Sequence, residues 1–245
     1  MAQNIQGMLL SSATALGVRL MPAQLDAFQK YLELLLNWNK KMNLTAITDP
    51  VGIAVKHFAD SLAAVSLLPE KSGISVIDVG TGAGFPGIPF AIARPDIRLT
   101  LLDSLNKRLL FLEEVCRELD IPVQRIHARA EEGGRKSELR EQFDVATARA
   151  VAGLPVLLEY CLPFVKKGGC FLALKGPDSD EEHRAAGNAL SKLGGRTAAV
   201  HKLLLPATPR EGIEQQERRI FVFDKVSQTP PAYPRASAKI SKAPL

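Results

Sequence analysis

The apolar residues of the first 70 positions recur at the three- and four-residue spacing that is typical of amphipathic helices. The clearest stripe is formed by Leu25, Phe28, Leu32 and Leu35. A further helix is expected to begin at Asp49-Pro50, because aspartate caps helix N-termini and proline suits the first turn. The pattern therefore predicts a helical N-terminal extension over residues 1–72.

From residue 73 onward, short apolar runs alternate with amphipathic stretches. Seven strands are predicted, at residues 75–79, 98–103, 123–128, 143–148, 170–175, 197–205 and 219–225. Strands that alternate with helices indicate a parallel sheet covered by helices on both faces. We therefore expect an α/β domain over residues 73–225, followed by an extended, proline-containing arm over residues 226–245.

Composition adds a basic C-terminus to this picture. The 245 residues are 46% hydrophobic and 23% charged, which fits a globular chain with a core and excludes wholesale disorder. The net charge is +5, and without Lys225, Arg235, Lys239 and Lys242 the chain has 27 basic and 26 acidic residues. Such an arm suits contact with a phosphate backbone, although a solvated, frayed terminus explains the charge equally well.

Several classes of protein and site are not expected. No apolar run approaches the ~18 residues that span a bilayer, and the first residues lack the features of a signal peptide. Cys116, Cys161 and Cys170 have no CxxC spacing, so we expect three reduced thiols in a cytoplasmic protein. No spacing of His, Cys and acidic residues indicates a metal site, and no nucleophile elbow is present.

A glycine-rich turn follows the first predicted strand, with Asp78 at its head and glycines at positions 80, 82 and 84. Glycine lets a backbone turn tightly and approach a ligand closely. The GxGxG spacing directly after the strand favours S-adenosylmethionine (SAM), although Gly82, Gly84 and Gly87 also match the dinucleotide fingerprint GxGxxG. Pro86 and Pro89 count against a dinucleotide, because they lack N–H groups that a pyrophosphate would use. A tight turn without a ligand is the remaining alternative.

Ligands of open parallel sheets bind at the carboxyl ends of the strands, so the residues there are candidates. Asp103 ends the second strand, where it is placed either to accept hydrogen bonds from ribose hydroxyls or to cap the next helix. Arg149 follows the fourth strand and is expected to bind a methionine carboxylate or a substrate phosphate. Lys175 ends the fifth strand and is either a phosphate contact or a solvated strand end.

Two further polar groups have open roles. Ala130-Glu131 follow the third strand, where the loop either covers an adenine or supplies acid to a helix N-terminus. His57, Asp60 and Ser61 share one side of a helix, where a satisfied capping or surface network is favoured over a polar cluster facing the cleft. The chain lacks a Pro-Pro clamp for exocyclic amines after the fourth strand, and no cysteine ends a strand. We therefore expect chemistry without a covalent nucleophile, a metal or a strong base.

Longer motifs cover nearly the whole chain. They are MNLTAI (42–47), HFADSL (57–62), DVGTGAGFPGIP (78–89), LLDSLNKRLLFL (101–112), RAEE (129–132), FDVATARAVAGLP (143–155), LALKG (172–176) and YPR (233–235). With these motifs the chain resembles the small-subunit rRNA methyltransferase G family, also called the glucose-inhibited division protein B family. Residues 236–242 match the lysine- and proline-rich ending of that family only in part.

The resemblance implies a Rossmann-like class I SAM-dependent methyltransferase fold, with a mostly parallel seven-stranded sheet and an N-terminal helical extension. It also implies methylation of N7 of a guanine in the decoding-region loop of 16S rRNA. The family's cofactor contacts fall on Gly80, Phe85, Ala130, Glu131 and Arg149, and strand-end position adds Gly82, Gly84 and Asp103.

Guanine N7 has a free lone pair, so we expect direct in-line transfer that needs positioning and electrostatics rather than a base. The catalytic group stays open, with Asn43, His57, Asp60 and Arg149 as candidates. The RNA contacts expected from charge and position are Lys40, Lys41, Lys175, Arg235, Lys239 and Lys242. The expected partner is 16S rRNA, in the small subunit or an assembly intermediate, and the protein is expected to be a monomer without membrane contact.

Three alternatives stay open on the residues alone. They are a SAM methyltransferase with another RNA or protein substrate, an NAD(P)-linked oxidoreductase, and a ribosome-associated protein without catalysis. The cofactor that shifts the melting temperature separates the oxidoreductase from the others. Binding of rRNA without turnover would mark the non-catalytic protein.

Overall fold

Helices fill the N-terminal part of the chain, as the spacing of its apolar residues predicts. A computed structural model describes residues 4–207, 212 and 214–245. The helices are α1 (Gln6–Ala15), α2 (Pro22–Asn39), α3 (Pro50–Ile53), α4 (Asp60–Leu62), α5 (Gly87–Ala93), α6 (Asn106–Glu118), α7 (Ala130–Gly133), α8 (Leu154–Cys161), α9 (Asp180–Ala185), α10 (Gly187–Leu193) and α11 (Ser237–Lys242). Within these ranges of described residues, no helix is both long and apolar enough to cross a membrane.

The helix that begins at Asp49 departs from the regular form. Its apolar positions predict one continuous helix, but a π-helical turn, Ala54–Ala59, joins α3 to α4. Asp49 caps α3 as predicted, because its carboxylate accepts the N–H of Gly52. π-Helical turns are rare in proteins, and those that occur are often found at functional sites. This one carries Lys56 and His57.

Seven strands form one mostly parallel sheet, as predicted. They are β1 (Ser75–Val79), β2 (Arg98–Asp103), β3 (Val123–His127), β4 (Phe143–Arg149), β5 (Val165–Lys175), β6 (Gly195–Leu205) and β7 (Gln216–Lys225). Their order is β3-β2-β1-β4-β5-β7-β6. The pairings of β7 with β5 and with β6 are antiparallel, and the other pairings of these described strands are parallel. The order reverses between β1 and β4, which is where ligands bind in such sheets.

Strand β5 is longer than the apolar run predicts. Gly168 and Gly169 are expected to form a turn before the strand, but they lie within it as a bulge. The pairing of β4 with β5 shifts between Phe143 and Val145, and Gly168 has a φ of +86° that lets the extra residues loop out. The sequence between β6 and β7 is long and polar, which predicts a loop over residues 206–216, and this stretch lies partly outside the described residues.

The apolar core lies on both faces of the sheet. On one face, aromatic residues of the N-terminal helices, including Phe28 and Phe58, form a single cluster with β1, β2, α5 and α6. On the other face, α8 and α10 pack against β4, β5 and β7 around Phe171 and Phe223. The N-terminal extension therefore shares its core with the sheet.

The C-terminal residues correct the expectation of an extended arm. Residues 226–245 fold back onto the domain and end in α11, whose Ile240 is fully buried. Lys225 belongs to β7 and is 1% exposed, with its ammonium donating to the Leu162 carbonyl at 2.7 Å and to the Thr229 hydroxyl at 2.6 Å. Part of the basic charge that the sequence assigns to a tail therefore serves to hold the tail in place.

Candidate functional site

The glycine-rich turn after β1 lies where the strand order of the sheet reverses. The N–H groups of Gly80 and Thr81 donate to the Leu102 carbonyl at 2.8 and 3.1 Å, so the turn is tied to β2. Gly80 has a φ of +71°, and a Cβ added there would lie 2.9 Å from the side chain of Val151. The turn therefore requires glycine at this position for both backbone conformation and space.

Tyr31 of α2 supports the same turn from the side of the N-terminal helices. Its buried hydroxyl donates to the Ala83 carbonyl, and a Cβ added to Gly84 would lie 2.6 Å from that hydroxyl. Burial raises the pKa of Tyr31 well above its ordinary value, so the phenol stays protonated and continues to donate. The helical extension thereby helps to fix the position of the glycine-rich turn.

Asp78 lies beneath the turn and is fully buried. One carboxylate oxygen accepts the Thr81 hydroxyl at 2.7 Å and the Gly87 N–H at 2.9 Å. The other oxygen, Oδ1, has no hydrogen-bond partner among the described residues. Burial raises the pKa of Asp78 to about 6, against hydrogen bonds that lower it. The acid at the head of the motif therefore organises the loop from within.

Asp103 ties the glycine-rich turn to the start of α6. Its Oδ1 accepts the Leu105 N–H and its Oδ2 accepts the Gly82 N–H, each at 2.9 Å. The first bond resembles a helix cap, whereas the second anchors the glycine-rich turn to the end of β2. Oδ2 also accepts from Arg108 Nη1 at 3.4 Å, so Oδ1 is the oxygen that retains a lone pair for a ligand hydroxyl.

A cavity of about 150 Å³ opens beside Gly80 at the ends of β1, β2 and β3. We call it the turn-side cavity. Its lining residues are Val79, Gly80, Leu102, Ser104, Ala128, Arg129, Ala130, Glu131, Val151, Tyr160 and Ser237. The structure thus brings the glycine-rich turn together with Ala130 and Glu131, as the sequence predicts for a nucleoside pocket.

A second cavity of about 420 Å³ surrounds the end of β4, and we call it the basic cavity. Its described lining contains four basic residues, Lys56, Arg149, Lys175 and Arg218, and one acidic residue, Asp60. Ala150 lines this cavity and its neighbour Val151 lines the turn-side cavity, so the two cavities adjoin. Ala150 has a φ of +55°, a conformation that costs a non-glycine residue about 1–2 kcal/mol.

Arg149 is held on four sides in the basic cavity. Its Nη1 donates to Asp60 Oδ2 at 2.7 Å and to the Lys56 carbonyl at 3.2 Å. Its Nη2 lies 3.1 Å from His57 Nδ1, and the guanidinium carbon lies 4.9 Å from the centre of the Phe85 ring. The side chain is only 12% exposed, so its position is fixed before any ligand binds.

His57 is a neutral, fully bonded group. Nδ1 lies 3.1 Å from Arg149 Nη2 and 3.1 Å from the Lys56 carbonyl. Because an arginine only donates and carries a full charge, we assign Nδ1 as the acceptor and place the proton on Nε2. Nε2 then donates to the Thr45 hydroxyl at 2.7 Å, and the ring stacks on Phe85 at 4.6 Å between centroids. Burial, followed by the charge of Arg149, lowers the pKa of His57 to about 3. No nitrogen of this ring is left to act as a base.

Asp60 joins three elements at the basic cavity. It is 6% exposed, and its second oxygen, Oδ1, accepts from Arg218 of β7 at 2.8 Å. Ser61 is fully buried and donates to the His57 carbonyl at 2.6 Å. The expected network is satisfied, but its expected location at the surface is wrong, because His57 and Asp60 face Arg149 of β4 and Ser61 is buried in the helix.

Lys175 lies in the same cavity but is already engaged. Its ammonium contacts Glu182 at 2.7 Å and the Ala152 carbonyl at 3.0 Å, and its side chain is 12% exposed. The alternative of a solvated strand end is therefore wrong. Glu182 also accepts the Leu154 N–H at 2.8 Å, so Lys175 helps to hold the segment that follows Ala150.

Other candidates lie outside the two cavities. Asn43, Lys40 and Lys41 are exposed on the connection between α2 and α3, and Lys239 is exposed on α11. Lys242, the last residue of α11, is exposed as well. Arg235 is paired with Glu159 at 2.6 Å, where Glu159 is fully buried, so its guanidinium is not part of a free basic arm.

Three residues of the site have no place among the sequence candidates. Arg218 sits on β7, 158 positions from its partner Asp60, so no local pattern connects them. Tyr31 adjoins the apolar stripe of α2, and its hydroxyl is the only feature of the sequence that could have indicated a polar role for it. Thr45 lies within the MNLTAI motif, which marks the segment without giving the residue's role.

Comparison with known proteins decides the family. The family model GidB, described as rRNA small subunit methyltransferase G, matches residues 24–210. The chain belongs to this family. It is 48% identical to the ribosomal RNA small subunit methyltransferase G of Acetivibrio thermocellus over 242 residues, which cover 98% of this chain and 97% of that protein. The protein of the same name from Desulforamulus reducens is 49% identical over 220 residues, covering 89% of each.

Solved structures with low sequence identity to this chain share its architecture. A methyltransferase of Thermoplasma acidophilum described as putative in its name has a TM-score of 0.53 at 16% identity, over 65% of this chain and 71% of that one. The TYW2 protein of M. jannaschii, solved in complex with AdoMet, has a TM-score of 0.51 at 14% identity, over 68% and 77%. At these identities the likeness shows the fold alone, which is the Rossmann-like class I methyltransferase fold. Fold and family agree on a methyltransferase.

Proposed function

We propose that this chain transfers a methyl group from SAM to N7 of a guanine in the 16S rRNA of the small ribosomal subunit. It acts in the cytoplasm, as a monomer, on the subunit or an assembly intermediate. One observation carries the proposal beyond family membership. The turn-side cavity beside the glycine-rich turn adjoins the basic cavity at the end of β4, where Arg149 immediately precedes the Ala150–Val151 step that the two cavities share.

Of the expected cofactor contacts, Gly80, Ala130 and Glu131 line the turn-side cavity, and the others lie on the same turn or at neighbouring strand ends, an arrangement that fits SAM. Gly80, Gly82, Gly84 and Phe85 would hold it from the turn, Ala130 and Glu131 would cover its adenine, and Asp103 would accept from its ribose hydroxyls. A Cβ on Gly82 would meet no atom closer than 4.0 Å, so the turn leaves open space on that side. Arg149 is suited to the methionine carboxylate. When bound, SAM supplies a methyl group on a sulfonium, which is a good leaving group.

The basic cavity suits the nucleic acid substrate. Four basic residues against one acidic residue give its lining a net positive charge, which favours the phosphate groups of a nucleotide. Lys56 is half-buried there on the π-helical turn, beside Arg149. Exposed Lys40 and Lys41 lie on the connection that reaches the cavity through Thr45 and His57, and they extend the basic surface for more distant phosphates.

The state of His57 supports direct transfer. Guanine N7 carries its own lone pair, so the reaction needs no proton removal before attack, and His57 has no nitrogen free to remove one. Asp60 and His57 act as positioning residues, because they hold Arg149 at its place beside Phe85. Rate acceleration then comes from alignment of the two substrates in a preorganised site.

Methyl transfer from isotope-labelled SAM tests the proposal. The substrates are unmethylated small subunits, naked 16S rRNA and, as a control, large-subunit rRNA. We expect label only in 16S rRNA, and comparison of the first two substrates shows which form is used. A protein that binds SAM and rRNA but transfers no label would favour a non-catalytic role. A melting temperature raised by NAD and not by SAM would favour an oxidoreductase.

A further inference from the structure

The C-terminal segment, residues 229–242, is fastened to the domain by buried polar contacts. Arg140 donates to the Thr229 carbonyl at 2.6 Å and to the Tyr233 carbonyl at 2.9 Å. Glu141 accepts the Thr229 N–H at 2.7 Å. Because Arg140 donates to backbone carbonyls, these bonds fix the path of the main chain and not only one side chain. The segment therefore has one defined course across the domain.

One ion pair dominates this attachment. Glu159 of α8 is fully buried, and its Oε1 accepts both the backbone N–H of Arg235 at 2.7 Å and the guanidinium Nε at 2.9 Å. Its Oε2 accepts Nη2 at 2.6 Å. A buried carboxylate needs such complete pairing, because an unpaired charge in the interior is strongly unfavourable. The segment therefore cannot leave without exposing or stranding the charge of Glu159.

The anchored segment ends at the turn-side cavity. Two residues after Arg235, Ser237 lines that cavity together with Gly80, Ala130 and Glu131. Tyr160, the neighbour of Glu159 on α8, lines it as well. Ile240, one turn after Ser237, is fully buried and keeps α11 seated. The attachment point and the cavity wall are thus one continuous piece of chain.

We propose that the C-terminal segment is part of the binding site for the adenosyl moiety of SAM, and that the Glu159–Arg235 pair is a positioning pair that keeps Ser237 in its wall. The proposal rests on the proposed function, since it takes SAM as the ligand of the turn-side cavity. It assigns to Arg235 a role in affinity for the cofactor, whereas its charge alone suggested contact with RNA. SAM and S-adenosylhomocysteine share this moiety, so both are expected to depend on the segment.

Calorimetric titration with SAM and with S-adenosylhomocysteine, in the absence of RNA, tests this inference on the full chain. Arg235→Gln is compared with Arg196→Gln, which breaks an exposed pair with Asp224 far from the cavity. We expect Arg235→Gln to raise both dissociation constants about tenfold or more, and Arg196→Gln to leave them unchanged. Circular dichroism and melting temperature report whether each variant is folded.

A second pair of variants decides the matter if Arg235→Gln fails to fold. Ser237→Trp places a large ring at the cavity wall, and Ala238→Trp places the same ring at the exposed next position of α11. We expect the first to weaken binding of both ligands about tenfold or more, and the second to leave it unchanged. Wild-type affinity in a folded Ser237→Trp protein would overturn the inference. Absence of SAM binding in the wild-type chain would instead overturn the proposed function, and the inference with it.

Discussion

Asp60 Oδ2 lies 2.7 Å from Arg149 Nη1, and this contact connects the helical extension to the end of β4. The same carboxylate reaches Arg218 of β7 through its other oxygen at 2.8 Å. A single buried acid thereby sets the positions of two arginines on different strands. The side chains of Asp60, Arg149 and Arg218 are 8%, 12% and 22% exposed, so these ion pairs are shielded from solvent far more than a surface ion pair.

Replacement of Asp60 by Asn is expected to release both arginines. The loss of a buried acid that serves two cations should lower the free energy of unfolding by about 3 kcal/mol. Misplacement of Arg149 should lower kcat/KM for methyl transfer roughly 100-fold. Chemical denaturation and steady-state kinetics measure the two effects. Asp224→Asn, which removes the partner of exposed Arg196, serves as the control and should change both by little. Normal kinetics of Asp60→Asn would show that Arg149 needs no such support.

The pH dependence of His57 gives a second prediction. Burial and Arg149 lower its pKa to about 3, whereas an unfolded histidine titrates near 6.5. The unfolded chain therefore binds a proton that the folded chain does not, and stability is lost as the pH falls below about 6.5. His57→Gln should lose less stability than the wild type between pH 7.5 and pH 5, measured by urea unfolding. Exposed His201→Gln is the matched control. Equal losses in wild type and His57→Gln would contradict a neutral His57.

The contribution of Asp78 to stability should change with pH in the opposite direction. Its pKa is raised to about 6 by burial, so the folded chain binds a proton between pH 4 and pH 6 that the unfolded chain has lost. Its contribution to stability therefore falls as the pH rises through this window, by roughly 3 kcal/mol at most. Urea unfolding of Asp78→Asn and wild type across pH 4 to 7 should show the variant gaining relative stability with rising pH. A constant difference across that range would exclude the raised pKa.

Salt dependence tests the basic surface. Deletion of residues 226–245 would strand Glu159, so paired substitutions separate charge from folding more cleanly. We expect Lys40→Ala/Lys41→Ala and Lys239→Ala/Lys242→Ala each to reduce the slope of log affinity for rRNA against log salt by about 1–2. Filter binding at several salt concentrations measures it. An unchanged slope for either pair would show that those lysines do not contact RNA phosphates.

Much of the sheet and its glycine-rich turn follow from local sequence. The apolar runs place β1 and β2 at their observed bounds, and the glycine spacing directly after β1 marks the turn. Strand ends identify Asp103 and Arg149 because parallel strands deliver their next residues to one edge. The predicted strand bounds and the places of these two residues agree with the structure, because each depends on a few consecutive residues whose periodicity reports burial.

The remaining features depend on contacts between distant segments. The pairing of Asp60 with Arg218 spans 158 positions, and the docking of Arg235 on Glu159 spans 76. Basic residues near the end of the chain predict a solvated arm, because the sequence does not show that a buried acid, Glu159, pairs with one of them. The π-helical turn could not be predicted from the sequence either, because its apolar positions also suit a regular α-helix.

Nucleoside mass spectrometry of the methylated product tests the central claim most directly. Unmethylated small subunits are incubated with isotope-labelled SAM and either wild-type protein or Asp60→Asn, and their 16S rRNA is digested to nucleosides. The account predicts label in 7-methylguanosine with the wild type and roughly 100-fold slower labelling with the variant. Label in another nucleoside, or none from a protein that binds SAM, would contradict it.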